Sequence, residues 1–282
     1  MRPSETTTAA GRTLGRAVAA VAVLFAVVLP MAACAGAPAT PSIALPPTGG
    51  APDYQLGAAY PPDSSVQIVG RDRSAEPGEG LYSICYVNGF QTQPGEAGLW
   101  PDDLLLLTPE GERFIDPDWP DEVLLDTATA ENREAIVAVV RPWIEECAAS
   151  GFQAVEFDNL DTFTRADRAL YIEDNLALAT MFVDLAHDAG LAAGQKNSAE
   201  FAARLHGEAG FDFAVTEECA AYEECDSYTD VYGDAVIDIE YTDALPRTFA
   251  AMCGDPSSPP SMVLRDRMLS APGARDHAFE TC

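Results

Sequence analysis

Histidine is scarce in this chain, and so is positive charge. Three histidines and 16 lysines and arginines stand against 45 aspartates and glutamates, a formal net charge of −29. Phosphate backbones bind basic surfaces, so nucleic acid is excluded as a partner. No CxxC pair occurs, and His187, His206 and His277 show no zinc-ligand spacing, so no metal is expected. Neither a GxSxG turn nor a glycine-rich phosphate loop follows any strand-like run. Serine hydrolysis and nucleotide binding are thereby set aside, and no cofactor is implied. The acidic excess serves solubility or draws in a cationic substrate.

Long apolar runs are also few. Ala17–Leu29 is too short to span a bilayer comfortably. Arg2, Arg12 and Arg16 precede it, and Met31-Ala32-Ala33-Cys34 follows. This reads as an export signal over residues 1–33 with Cys34 as the lipidated first residue, in the manner of a bacterial lipobox. A plain secretory signal with an incidental cysteine is the alternative. Residues 34–53 are rich in Ala, Pro, Thr and Gly and read as a tether. A single folded domain, 54–282, is then expected, acting as a monomer outside the cell. Apart from Cys34 the cysteines are Cys85, Cys147, Cys219, Cys225, Cys253 and Cys282, an even set that suggests disulfides in an exported protein. Cys219 with Cys225 can close a small loop and Cys253 with Cys282 can tie back the C-terminus, which leaves Cys85 with Cys147. Other pairings stay open.

Strand-like and helical patterns alternate along the folded part. Strands are expected at Tyr54–Ala58, Val66–Gly70, Leu81–Val87, Glu122–Leu125, within the stretch Gly151–Thr162, and at Leu191–Gln195, Phe211–Val215, Ala235–Ile239 and Met262–Leu264, with Leu104–Leu107 either a strand or a buried turn. Helices are expected at Glu131–Ser150, Asp167–Ala189, Ala199–His206 and Pro246–Met252. Pro142 either kinks the first helix or begins another. Such a β-α rhythm predicts a parallel sheet. Polar residues gather after strand upon strand: Asn88, Asp126, Asp158, Lys196, Glu217, Glu240 and Arg265. A rim supplied from all around favours a closed (β/α)8 TIM barrel over an open sheet. That leaves more strands than eight, and Leu104–Leu107 is the first candidate to lie outside.

The stretch GFQAVEFDNLDT, residues 151–162, is the least ordinary in the chain. Glu156 and Asp158 are two apart in a strand, so both side chains take one face. Two acids on one buried face resist joint ionisation, an arrangement typical of reaction sites.

This stretch, together with Gly194-Gln195-Lys196-Asn197, Glu217-Glu218-Cys219 through Tyr222 to Glu224-Cys225, and Ile239-Glu240-Tyr241, resembles glycoside hydrolase family 114, the endo-α-1,4-polygalactosaminidases. The resemblance runs from about Tyr54 to Arg267. It departs from the family at Tyr54-Gln55, at Thr216 and in the segment Tyr86–Gln91, and leaves the acids intact. It implies a TIM-barrel endo-glycosidase acting on a cationic galactosamine-containing polysaccharide by a two-carboxylate mechanism. Asp158 would be the nucleophile and Glu217 the acid/base. Glu156, Asp161, Lys196, Glu240, Tyr86 and Tyr241 would hold substrate or tune the acids, with Trp119 and Tyr222 as further sugar platforms.

Each residue also has a plainer role. Glu156 can be a core acid paired with Lys196 or Arg265, Lys196 a structural ion-pair partner, Asp161 a turn cap, and Tyr222 a packing residue of the disulfide loop. A competing function is a catalytically silent surface lipoprotein that binds amino sugars or polycations through the same acidic cleft.

Overall fold

The computed structural model describes residues 8–11, 15 and 43–282. Most of the export signal, Cys34 and the first part of the tether lie outside the described residues. The chain divides into two units, residues 1–39 and 40–282, and the second carries the fold described below. No helix among the described residues is long and apolar enough to cross a membrane.

Among the described residues nine strands form one sheet in sequence order. They are β1 (Pro52–Tyr54), β2 (Ile68–Asp72), β3 (Tyr82–Asn88), β4 (Ala154–Asp158), β5 (Ala192–Lys196), β6 (Phe213–Glu217), β7 (Val236–Tyr241), β8 (Ser261–Arg265) and β9 (Phe279–Thr281). The first eight are parallel, and β9 pairs antiparallel with β8. The helices are α1 (Ala130–Ser150), α2 (Ile172–Asp188), α3 (Ala202–Arg204), α4 (Asp226–Tyr232) and α5 (Phe249–Cys253). This is the expected TIM-barrel architecture in one domain, with a nearly closed sheet.

The alternation of strand residues explains the layers. Tyr54, Ile68, Ile84, Ala154, Ala192, Phe213, Val215, Ile237, Ile239 and Val263 point inward and form the barrel's own core. Cys85, Val87, Val155, Phe157, Ala193, Ala214, Met262 and Leu264 point outward and pack with Ile136, Val140, Phe182 and Phe249 of the helices. Small residues inside the barrel leave room for its rings. A side chain at Gly194 would lie 2.6 Å from Phe213 Cζ, and one at Gly70 would lie 2.6 Å from the Tyr54 ring.

Helix α1 begins where Thr129 accepts from the Asn132 backbone N–H and ends at Gly151, whose φ of 97° is left-handed. It runs through Pro142 without a break. Helix α2 starts later than the pattern suggested, because Asp167 and Arg168 take positive φ and interrupt it.

Leu104–Leu107 lies outside the barrel, as expected, and one strand expectation is corrected: Glu122–Leu125 is not a barrel strand either. They meet through isolated antiparallel bridges, such as Leu105 with Leu125 and Ile115 with Val123, in an excursion between β3 and α1. Leu104, Leu105 and Leu125 are buried against the core between strands and helices, and Leu106 and Leu124 pack with Ala166 and Leu170, which gives the runs their strand-like composition.

The tether also ends earlier than expected. Pro52 and Asp53 already belong to β1 and are buried. Among the described residues no backbone pairing joins β8 to β1. Arg265 closes that seam with a fully buried side chain: Nη1 bonds Asp53 Oδ1 at 2.5 Å and also the Tyr54 carbonyl, while Nε reaches the Ala278 carbonyl.

Among the described residues three disulfides form: Cys85–Cys147, Cys219–Cys225 and Cys253–Cys282. They fit an oxidising compartment. The first links β3 to α1, the second closes the loop after β6, and the third ties β9 to α5.

Candidate active site

The inward series of the strands ends, at their C-terminal edge, in Asp72, Tyr86, Asp158, Lys196, Glu217 and Tyr241. These residues line a cavity of about 540 Å³, completed by Leu56, Gly57, Gln93, Pro94, Trp119, Glu122, Asn159, Asn197, Arg267, Met268 and Leu269. A depression of similar volume, about 560 Å³, lined by Tyr60, Pro61, Pro62 and Arg71, holds none of the strand-end acids.

Lys196 stands at the centre of the floor. Its Nζ lies 3.0 Å from Glu217 Oε2, 3.5 Å from Asp158 Oδ2 and 3.7 Å from Glu156 Oε1. Only 3% of its side chain is exposed. Burial alone would drive the ammonium to lose its proton, but Asp158, Glu217 and Glu156 outweigh burial and raise its pKa. Lys196 is the sole lysine of the chain.

Asp158 comes from the end of β4. Tyr86 donates to its Oδ2 at 2.7 Å, and the Asn159 backbone N–H donates to Oδ1 at 2.7 Å. Glu217 comes from the end of β6. The Tyr241 hydroxyl donates to its Oε1 in a short contact, and Asn197 Nδ2 donates to Oε2 at 3.0 Å. Burial pushes Glu217 up, yet Lys196, Tyr241 and Asn197 together bring its pKa below the usual glutamate value. The backbone just past these strands is bent sharply, with positive φ at Asn159, Asn197, Ser198 and Glu218. Those bends bring the Asn159 backbone N–H to Asp158 and the Asn197 side chain to Glu217.

Glu156 sits one layer below, fully buried, and does not line the cavity. It accepts from the Tyr54 hydroxyl at 2.7 Å, and its Oε2 is unpartnered. Burial is the main influence pushing its pKa up to about 7, with Lys196 opposing and Asp158 adding. It is therefore a buried neighbour of Asp158 and Lys196 that does not reach the cavity.

Glu240 and Asp161 are corrected more fully. Glu240 lies on the outer face of β7, where Oε1 accepts from the Ala220 and Ala221 backbone N–H groups at 2.9 and 3.1 Å. It braces the loop after β6 beside Asp238, away from the cavity. Asp161 pairs with Arg165 at 2.7 Å on the α2 side, and Arg165 also holds Asp116, Gln91 and Asn159. Neither acid lines the cavity. Tyr222 is an exposed residue of the disulfide loop and also stays outside, whereas Trp119 does line the cavity.

Sequence reasoning missed Glu122, Asp72 and Arg267 as cavity residues. Arg267 is clamped by both oxygens of Glu218 at 2.8 and 3.0 Å and stacks over Tyr241, 4.2 Å from the ring centroid. Among the described residues one grouping has metal-ligand proximity, Cys219, Cys225 and Asp238, and its two sulfurs are joined to each other.

The family model for glycoside-hydrolase family GH114 matches residues 33–282. The chain belongs to family GH114. It is a glycoside hydrolase, and the carboxylates at the ends of β4 and β6 sit where a barrel enzyme keeps its chemistry. Among solved structures, Ega3 of Aspergillus fumigatus, crystallised with galactosamine, is 21% identical with a TM-score of 0.68 over 86% of this chain and 98% of that one. The glycoside hydrolase domain of PelA from Pseudomonas aeruginosa is 16% identical with a TM-score of 0.55 over 81% and 99%. At these identities the likeness shows a shared fold. No curated protein matches the chain.

Proposed function

We propose that this GH114 member is an endo-acting hydrolase of α-1,4-linked galactosamine-containing polysaccharide, with Asp158 as nucleophile and Glu217 as acid/base. The observation that carries this reading is one ammonium, Lys196, held between two acids from different strands. Those acids face each other across a cavity floor, so a sugar can lie between them, as glycoside cleavage requires. Asp158 Oδ2 and Glu217 Oε2, the oxygens that face Lys196, can be no further apart than their two spans to Nζ laid end to end. That limit reaches only the lower edge of the ~6.5–9.5 Å at which inverting enzymes seat a water, and it includes the ~5–5.5 Å of a retaining pair. The geometry therefore supports a covalent glycosyl intermediate on Asp158.

In the free site Glu217 rests as a carboxylate. A sugar seated over it removes its remaining solvent and strengthens the burial that already pushes it upward, which readies it to carry the proton for the leaving oxygen. The depressed pKa of free Glu217 favours one other reading, in which the two acids exchange roles. The enzyme is proposed to work as a monomer, exported and held at the membrane through lipid on Cys34.

Incubation with de-N-acetylated α-1,4-galactosamine polymer is the test. Wild type should release shorter oligomers, and Asp158→Asn and Glu217→Gln should each abolish them. An intact polymer after wild-type treatment would refute the substrate assignment. With an activated aryl glycoside and azide, the acid/base variant recovers turnover and yields an azide product of retained configuration. Such recovery in Asp158→Asn instead of Glu217→Gln would exchange the two roles.

A further inference from the structure

Glu122 lies in the excursion between β3 and α1, and its side chain is nine-tenths buried, with 8% of the residue exposed. Its Oε2 accepts from Asn88 Nδ2 at 3.0 Å and from Gln91 Nε2 at 2.6 Å. Its Oε1 accepts from no described residue, yet the side chain lines the cavity. The backbone on either side is fixed: Glu122 N–H donates to the Trp119 carbonyl and the Glu122 carbonyl accepts from Asp116.

The carboxylate stands close to the reacting acid. Asn159 Nδ2 donates to Asn88 Oδ1 at 3.0 Å, and the Asn159 N–H donates to Asp158. Two amide side chains therefore connect Glu122 to Asp158. Burial, Asp158 and Asp116 push the Glu122 carboxyl up, Gln91 and Asn88 pull it down, and the balance is about 6.

The cations of the cavity are already matched. Lys196 is shared by Asp158, Glu217 and Glu156. Arg267 is taken by Glu218 and Asp243. Asp72, which like Glu122 pairs with no described cation, is less buried and accepts on both oxygens, from Ser74 on one and from Gln93 on the other. Glu122 forms no ion pair with any described residue. A carboxylate buried this far without a cation is unfavourable, and a cation brought by the ligand relieves that cost. Trp119, on the same segment and exposed, presents an indole to the cavity three residues away.

We propose that Glu122 and Trp119 form a subsite for a protonated primary amine on the sugar beside the cleaved bond, so that Glu122 selects free amino sugars over N-acetylated ones. An ammonium brings a donor and a full charge to Oε1. An acetamide brings a donor without the charge and adds bulk. This inference rests on the reading of the cavity as the cleft of an amino-sugar hydrolase, and it adds the residue that senses the amine.

Glu122→Gln keeps the shape and the acceptor for Asn88 and Gln91 while removing the charge. Binding of short galactosamine oligomers and of their N-acetylated counterparts is measured by calorimetry in an Asp158→Asn background, where neither is consumed. Adding Glu122→Gln should weaken the free-amine oligomer about tenfold or more, the scale of a charge-assisted hydrogen bond, and the acetylated oligomer much less. Trp119→Ala should weaken both alike. Equal losses for the two oligomers with Glu122→Gln would overturn the proposal, as would no loss. Glu122→Asp, which withdraws the charge by one methylene, repeats the comparison if the glutamine variant does not fold. In turnover, the kcat/KM ratio of free-amine to acetylated polymer should fall by the same factor. If wild type cleaves neither polymer, the hydrolase reading fails while the binding comparison still decides the subsite.

Discussion

Arg265 Nη1 lies 2.5 Å from Asp53 Oδ1, and this contact joins the last parallel strand of the barrel to the first. Both side chains are buried, so each is the other's substitute for water. Asp53→Ala leaves the guanidinium without its carboxylate and should lower unfolding free energy by about 3–5 kcal/mol. A chain begun at residue 54 loses the same carboxylate and should be destabilised to a similar degree. Urea unfolding monitored by circular dichroism checks both, and a change within error of wild type in both would refute the role of the contact.

Lys196→Met removes the one cation shared by three acids. Folding should weaken by about 3–5 kcal/mol, because Glu156, Asp158 and Glu217 are left to repel one another. Without Lys196 the pKa of Glu217 rises, so the basic limb of the pH–rate profile, where the general acid loses its proton, should move to higher pH while overall turnover falls. A limb that stays in place would show that Lys196 does not govern the state of Glu217.

The pH dependence of stability has a definite sign at Glu156. Its folded pKa, about 7, stands above the ordinary glutamate value, so the folded protein binds the extra proton in that interval. The stabilising contribution is complete below the unfolded value of roughly 4.3 and is lost as pH rises through the folded one. Glu156→Gln should therefore gain on wild type by roughly 1–3 kcal/mol between pH 5 and pH 8. Thermal melts of both proteins across that range read the difference directly, and parallel curves would contradict it.

Tyr86 and Tyr241 each donate to one of the two acids. Tyr86→Phe and Tyr241→Phe should each cost about tenfold in kcat/KM, the value of one hydrogen bond to a charged group. The Tyr241 variant alone should also raise the pKa seen for Glu217. If Tyr86→Phe moves that pKa as far, the pairing of tyrosines with acids is wrong.

Gly194 faces Phe213 inside the barrel at a distance no side chain tolerates. Gly194→Ala should destabilise by about 1–3 kcal/mol, through displacement of the Phe213 ring. Unfolding by urea measures it, and a neutral effect would mean that the ring moves freely.

Period-two alternation made much of this site legible in the sequence. It put Glu156 and Asp158 on one face of β4, and the order of polar strand ends indicated a barrel rim. The same parity also accounts for the misplacement of Glu240. Tyr241 points inward, so its neighbour must point out, and a strand-end acid is a cavity residue only when it shares the parity of the core positions. Asp161 is four residues before Arg165, a spacing that pairs them locally and withdraws the acid from the cleft. Glu122 was hidden for another reason. Its segment, EVLL, has the composition of a barrel strand because it packs against Leu105 and Ile115, and nothing local reveals that the excursion folds back over the cleft.

The lone lysine has a use beyond the chemistry of the cleft. Besides the terminal amine, Lys196 is the only target this chain offers to amine-directed reagents. Buried and held protonated by three acids, Lys196 should resist labelled formaldehyde and reductant in the folded protein and react only when the barrel opens. Its rate of methylation against that of the terminal amine would therefore report opening of the site, without altering a single codon.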